Sequence, residues 1–326
     1  MARPKEDLFQ RVEFDGTPEE VSAKWRAHRK MGIGGSDAGA ILGLNPWRSP
    51  LEVWMEKTGR GGEDRQNEAM EWGTRLEPAV IQKFSDEHHD FTVERPEWSA
   101  VSKEHPFMFA SLDGVLRRAG KGGYVERGIL EAKTSATDQA WKDGVPPSYV
   151  AQVTHYLAVT GYDFAYVAVL IGGRDYREYR IERDEDDIAA LIARERDFWH
   201  RYVATGTPPA LTGQGNEGAA LASLYPDEGD TGYADEAVEA LCSEYMQACE
   251  AEKAAAERKT QLSNKLKAEI KGKKALENER VKVSWIRTDG QRFDQKSFRR
   301  ACPDVYQSFC TPCVKDGGIR VKAKGE

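Results

Sequence analysis

The chain has 326 residues, enough for one large domain or two ordinary ones with a core that needs no covalent staples. No apolar run is long enough to cross a bilayer, and the opening Met-Ala-Arg-Pro-Lys-Glu-Asp lacks the apolar stretch of a signal peptide, so the cytoplasm is the expected compartment, with no membrane partner. Net charge is −7 but unevenly divided: residues 251–326 carry 19 Lys and Arg against 10 Asp and Glu, whereas residues 1–250 carry 28 against 44. A basic end on an acidic body suits contact with a polyanion at that end, and a solvated helix rich in Lys and Glu accounts for the same numbers equally well.

In chain order, residues 18–30 read as a short helix with Trp25 on its apolar side. Gly32 to Asp37 is a glycine-rich loop, and Ser36 or Asp37 is expected to cap a helix from Ala38 to Leu42. A turn at Leu44 to Trp47 precedes a helix from about Pro50 to Lys57. Arg60 to Asn67 is polar and read as loop. From Glu68 to Glu87, Trp72, Leu76, Val80, Ile81 and Phe84 recur at helical spacing, with Glu77 off that stripe.

Two extended runs, Phe107 to Leu116 and Tyr124 to Lys133, flank Arg117 to Gly123, where Gly120, Gly122 and Gly123 supply turn chemistry. In an antiparallel pair turning at Gly122, Asp113 and Glu131 each lie nine residues from the turn and face one another. Strand side chains alternate, so Lys133 shares the face of Glu131. Two carboxylates about 5 Å apart repel, and a divalent cation with a taste for hard oxygen ligands keeps both ionised. Mg²⁺ or Mn²⁺ fits that description, and an adjacent ammonium orients attacking water. A surface hairpin with an Asp-Gly bend and a Glu/Lys pair is the competing account.

Further along, Ser148 to Thr160 reads as a helix with Gln152 and His155 on adjoining sides. Ala165 to Gly172 and Arg177 to Arg183 are expected strands, and Asp184 to Tyr202 a helix starting on acids. The pattern predicts an α/β core with a mixed sheet. Residues 205–234, rich in Gly and Pro, are expected to be a linker between a domain at 1–204 and an extension at 235–326. That extension reads as a helix from Asp235 to about Lys273 with a weak heptad-like seam of Val238, Leu241, Tyr245, Leu262, Leu266 and Ile270, a strand at Val281 to Ile286, and a small unit around Phe293, Phe298, Tyr306 and Phe309. Five cysteines, all late, are too few and too odd in number for a disulfide framework, and Cys302, Cys310 and Cys313 offer three zinc-type ligands without a fourth, so free thiols are expected.

The ordered set Arg29, Gly-Ile-Gly-Gly-Ser-Asp at 32–37, Trp72-Gly73-x-x-x-Glu77, Ser111-Leu112-Asp113-Gly114, Glu131-Ala132-Lys133 and Ala151-Gln152-Val153 resembles the lambda exonuclease family in its YqaJ-type phage and prophage branch, within the PD-(D/E)XK nucleases. The match runs from about Trp25 to Tyr202. It implies a restriction-endonuclease-like core, a mixed sheet flanked by helices, followed here by the C-terminal helical extension with its small α+β unit. It also implies an active site of Glu77, Asp113, Glu131, Lys133 and Gln152. Asp113, Glu131 and the carbonyl of Ala132 would bind the principal Mg²⁺, Glu77 an outer or second ion, and Gln152 would steady the lysine or a bound water. Arg29 and Ser36 match an arginine and a serine that grip the 5′ phosphate, and Met70 an apolar wedge that parts the duplex.

The implied activity is Mg²⁺-dependent 5′-to-3′ exonuclease action on linear double-stranded DNA, leaving 3′ overhangs. The implied partners are DNA ends, a phage single-strand annealing protein and further copies of the chain in a ring, a trimer being favoured. A repair or restriction endonuclease of the same fold, and a DNA-binding module with a dormant site, remain the alternatives.

Overall fold

The computed structural model describes residues 7–61, 68–120, 124–226, 229–310 and 319–321, and divides into two compact units, residues 1–226 and 227–326. In the first unit the order is β1 Phe9–Glu13, α1 Pro18–Arg29, β2 Ile33–Gly34, α2 Gly35–Ile41, α3 Pro50–Lys57, α4 Glu68–Glu87, β3 Thr92–Glu94, β4 Trp98–Ser102, β5 Met108–Ala110, β6 Gly114–Ala119 and β7 Val125–Ser135. After these come α5 Pro147–Thr160, β8 Phe164–Ile171, β9 Asp175–Glu182, α6 Glu185–Phe198 and α7 Glu217–Leu224.

A five-stranded sheet in the order β3-β6-β7-β8-β9 is mixed: β7 and β8 run parallel and every other neighbouring pair is antiparallel. The α5 helix makes the crossover that a parallel pair requires. The interior strand β8, Phe-Ala-Tyr-Val-Ala-Val-Leu-Ile, is apolar throughout because it is covered on both faces. On one face, Val80, Ile81 and Phe84 of α4 pack over Leu116, Leu130, Phe164 and Ala168. Each of those three helix side chains is nearly sealed from water, which stabilises the packing by roughly 1.5–3 kcal/mol apiece. On the other face, α2, α3, α5 and α6 close the larger core, with Ile129, Val153, Leu157 and Val167 among its members. This is the expected α/β core with a mixed sheet flanked by helices.

A second sheet, β1-β4-β5-β2, was not anticipated. It divides the run from Phe107 to Leu116, expected as one strand: Met108–Ala110 pairs with β4 and β2, whereas Gly114 onward pairs with β7. Ser111, Leu112 and Asp113 bridge the two sheets, so Asp113 precedes its strand rather than lying within it. The hairpin register is nonetheless the expected one, since Gly114 lies opposite Leu130 and Ala119 opposite Val125. The turn at residues 121–123 and most of the polar stretch at 60–67 lie outside the described residues.

Helix α2 begins earlier than expected. Gly34 is its N-cap, so Ser36 and Asp37 fall in the first turn and neither is the cap; instead the Asp37 carboxylate accepts from the Gly34 N–H at 2.9 Å. Gly35 and Gly39, one turn apart, let α2 press against α5. A Cβ at Gly35 would stand 2.4 Å from the Tyr156 ring, and one at Gly39 would stand 3.1 Å from the Ser148 backbone. Helix α5 is fixed from behind by His155, which is wholly buried: Nδ1 is hydrogen-bonded with Glu195 of α6 at 2.8 Å and Nε2 donates to the Phe109 carbonyl at 2.9 Å. Burial alone would lower the imidazole pKa, but Glu195 and that carbonyl outweigh it and raise it.

The stretch expected to be linker differs too. Residues 205–226 belong to the first unit, and α7 within them packs its Ala220 into the main core. The Glu217 carboxylate starts that helix by accepting from the Thr212 and Gly213 amides at 3.0 and 2.7 Å, an arrangement hidden among glycines in the sequence. The second unit holds α8 Glu236–Ile270, a hairpin of β10 Ala275–Glu277 with β11 Lys282–Ser284, and two short helices, α9 Gln295–Ala301 and α10 Pro303–Ser308. Cys242, Cys249, Cys302 and Cys310 are free thiols, and Cys313 lies outside the described residues. Among the described residues no helix is long and apolar enough to cross a membrane.

Candidate active site

The second strand of the hairpin, β7, carries the chemistry. Glu131 and Lys133 alternate with Leu130 and Ala132, so while Leu130 and Ala132 pack toward α4, Glu131 faces α5. There the Lys133 ammonium donates to Glu131 Oε1 at 2.5 Å and the Gln152 amide donates to the same oxygen at 2.6 Å. Gln152 also donates to the Tyr156 hydroxyl at 3.0 Å, and the Lys133 ammonium lies 4.7 Å from the centre of the Tyr149 ring. Asp113 is held by backbone: its Oδ2 accepts from the Ala132 N–H at 2.9 Å. The other Glu131 oxygen, Oε2, is buried without a hydrogen-bond partner.

That orphan oxygen matters because buried acceptors are almost always satisfied. Burial raises the Asp113 carboxyl well above the usual carboxylate range, and the charges of Glu131 and Glu77 push it further, against the pull of Lys133 and the Ala132 amide. Burial likewise raises Glu131, with Lys133 and Gln152 opposing. Burial would lower Lys133, but Glu131 and Asp113 reverse the sign and keep it charged. Two carboxylates that resist ionisation side by side, one with an unused lone pair, fit a divalent cation. Among the described residues no three Asp, Glu, His or Cys side chains converge on one point, so the protein ligands for such an ion would be two carboxylates completed by other oxygens. Glu77 stands apart, its Oε1 accepting from Arg95 at 2.8 Å.

Arg29 and Ser36 form the second cluster. The guanidinium donates to Ser36 Oγ at 2.8 Å and lies over the Trp25 ring at 5.5 Å, and the Trp25 indole donates to Ser111 Oγ at 3.2 Å. Behind them Asp37 is fully buried and ion-paired to Lys57 and Arg48, each at 2.7 Å. Lys57 in turn donates to the Arg29 carbonyl at 2.9 Å. Burial alone would raise the Asp37 carboxyl, but Lys57, Arg48 and Arg29 hold it far below the ordinary range. Its stabilising contribution is therefore present above the unfolded carboxylate pKa and lost only in strong acid. Replacing Asp37 by Asn takes the buried carboxylate from Lys57 and Arg48 and leaves them the partly exposed Glu56, and an unfolding titration in urea is expected to show a loss of about 3–5 kcal/mol. A loss below about 1 kcal/mol would show that the network does not hold this part of the fold.

One cleft of about 1180 Å³ joins the two clusters. Arg29, Ser36, Met70, Glu77, Asp113, Glu131, Ala132, Lys133 and Gln152 all line it, so every candidate site residue named from the sequence reaches the same space. Met70 is half exposed at the start of α4. Three groups were missed: Tyr156, which bonds Gln152 and lies against Gly35; Tyr149 beside Lys133; and Arg95 on Glu77. Tyr149 and Tyr156 lie three residues before and four after Gln152 on α5, a helical spacing that marks them as its neighbours.

Residues 24–163 match the family described as the YqaJ-like viral recombinase domain. Along almost the whole of both chains, the protein is 32% identical over 292 residues to the uncharacterized protein YqaJ of Bacillus subtilis, covering 87% of this chain and 89% of that one. Among solved structures it is similar to an alkaline exonuclease from Laribacter hongkongensis, at 20% identity and a TM-score of 0.42, covering 56% of this chain and 93% of that one. A phage-related exonuclease from Haemophilus somnus is similar at 12% identity and a TM-score of 0.40, covering 56% and 99%. The extent and level of identity to the Bacillus protein, with the domain match over the same cleft-forming residues, show that this chain belongs to the YqaJ family of viral-recombinase-like proteins.

Proposed function

We propose that the protein is a divalent-metal-dependent exonuclease that degrades one strand of linear duplex DNA from its 5′ end, leaving a 3′ overhang for recombination. The observation that carries this reading is the meeting, in one cleft, of an arginine–serine pair suited to a terminal phosphate and a carboxylate–lysine set suited to a scissile one. Membership in a viral recombinase family supports it.

Asp113, Glu131 and the Ala132 carbonyl would hold the principal ion, Mg²⁺ or Mn²⁺, with Glu77 toward a second. When bound, such an ion polarises the phosphate and lowers the pKa of a coordinated water. The protein's own groups do the rest. Arg29 forks onto the terminal phosphate while Ser36 and the first amides of α2 donate to it. Lys133 sits where it can orient the attacking water and offset charge gathering on the phosphoryl oxygens. Gln152, anchored to Tyr156, keeps Glu131 Oε1 occupied and so leaves Oε2 as the atom directed to the ion. Met70, at the mouth of the cleft, serves as an apolar wedge against the duplex.

In this proposal residues 1–226 are the nuclease unit, the second unit, basic from residue 251 onward, is an accessory extension, and the protein acts in the cytoplasm. The active form is a ring of copies, most simply a trimer, that encircles the duplex and hands the exposed strand to a single-strand annealing protein. Digestion of end-labelled linear duplex tests the reading. Ends bearing a 5′ phosphate are expected to be degraded faster than unphosphorylated ends, and Arg29→Ala to erase that preference with about a 100-fold loss on phosphorylated ends. Indifference to the phosphate would remove Arg29 and Ser36 from the site. Cutting of a covalently closed circle would overturn the exonuclease reading.

A further inference from the structure

The long helix α8 spans 35 residues, about 52 Å, and almost all of it is exposed. Its apolar residues are not scattered. Val238, Leu241, Tyr245, Leu262 and Leu266 are 43 to 66% exposed and alternate at spacings of three and four, the first and fourth places of one unbroken heptad frame. In that frame the intervening core places hold Ala248, Glu252, Ala255 and Lys259. The side of the helix bearing Ser263, Lys267 and Ile270 is the covered one, with Lys267 lying over the Trp285 ring, and it leaves the seam free.

Charge is segregated along the same helix. Its first seventeen residues contain Glu236, Glu239, Glu244, Glu250 and Glu252 and no Lys or Arg, while its second half contains Lys253, Arg258, Lys259, Lys265 and Lys267 against Glu257 and Glu269. A second copy laid antiparallel satisfies both patterns at one register. Leu241 then meets Leu266 of the other copy, Tyr245 meets Leu262, Ala248 meets Lys259 and Glu252 meets Ala255. Each such pair joins a first-place to a fourth-place residue, as antiparallel seams require. Flanking this seam, Glu244 falls beside Lys265 of the other copy, twice over by symmetry. Glu252 and Lys259 occupy adjacent layers near the centre, where polar core residues fix register and orientation. A parallel pair would instead set Glu252 on Glu252 and Lys259 on Lys259.

We propose that α8 is a self-association surface, through which two copies of this chain pair as an antiparallel coiled coil with Leu241 of each against Leu266 of the other. With four apolar layers around a polar and alanine-rich centre, the pairing is reversible and concentration dependent. It is independent of the nuclease reading and of any ring the first unit forms, because it uses other residues.

Disulfide trapping in the full-length protein tests it. In a background with all five cysteines replaced by Ser, the double variant Leu241→Cys with Leu266→Cys is expected to cross-link into covalent dimers under mild oxidation, and each single variant to remain uncross-linked. Cross-linking of Leu241→Cys alone would mean a parallel pair and would overturn the proposal. Cysteine weakens the seam it probes, so charge exchange at exposed positions provides the second measurement, with helix content checked by circular dichroism. By sedimentation equilibrium, Glu244→Lys and Lys265→Glu are each expected to weaken self-association about tenfold, and the two together to restore it. Equal association by all variants, or no association through this helix at any concentration because another partner covers the seam, would also overturn it.

Discussion

Lys133→Ala is expected to lower turnover on linear duplex by about 100- to 1000-fold while leaving duplex binding near its original strength. The asymmetry follows from position. Lys133 lies deep in the cleft on Glu131, whereas Arg29 and Ser36, which would meet the terminal phosphate, form their own hydrogen-bonded pair and do not touch the lysine. Removing the ammonium takes away the charge placed to stabilise a more anionic transition state, and also leaves Glu131 with Gln152 as its one remaining side-chain donor. Single-turnover digestion together with a binding titration separates the two effects. Turnover within about threefold of the original would take Lys133 out of the chemistry, and a parallel collapse of binding would make it a structural residue.

The second large effect concerns stability without metal. Asp113 holds its proton more tightly in the folded protein than in the unfolded chain, whose carboxylates titrate near about 3.9. The sign follows by linkage. The stabilisation from that extra proton affinity is fully present below the unfolded pKa and is lost as pH rises through the elevated folded value. Above the unfolded pKa the buried, crowded carboxyl is therefore a cost. Asp113→Asn is expected to raise the melting temperature in EDTA at pH 7 to 8, and to flatten its rise as the pH falls toward the unfolded carboxylate value.

Added Mg²⁺ or Mn²⁺ should separate the two proteins. At about 100 times its dissociation constant a ligand stabilises by about 2.7 kcal/mol, a shift of several degrees for a unit of this size. The original protein is expected to show that shift and Asp113→Asn to lose most of it. Equal shifts in both would mean that the ion binds elsewhere.

How much of this was legible in the sequence depended on how the residues are partnered. Helices α3 and α4 and strand β8 were read nearly to the residue, because each carries a strong periodic or continuous apolar pattern set by the face it buries. The hairpin register was legible because a turn of fixed centre determines what faces what. The second sheet was not. Its strands are two to five residues long, β2 lies in a segment that reads as a glycine-rich loop, and pairing between β2 and β5 involves residues far apart in the chain. Nothing local distinguishes a continuing strand from one that changes sheets at Ser111 to Asp113. For the site, residue types and order identified the lining of the cleft, but not Tyr156, whose role comes from touching Gly35 across a helix interface.

That interface has a consequence for measuring length along DNA. Helix α2 supplies Ser36, helix α5 supplies Gln152, and Gly35 and Gly39 let the two helices lie so close that neither can slide past the other without striking a ring or a backbone. In the proposed exonuclease the grip on the terminal phosphate and the point of cutting are thus set on one rigid caliper. The size of the released fragment would be a property of helix packing, constant whatever bases pass through, and a bulkier side chain at Gly39 would reset it.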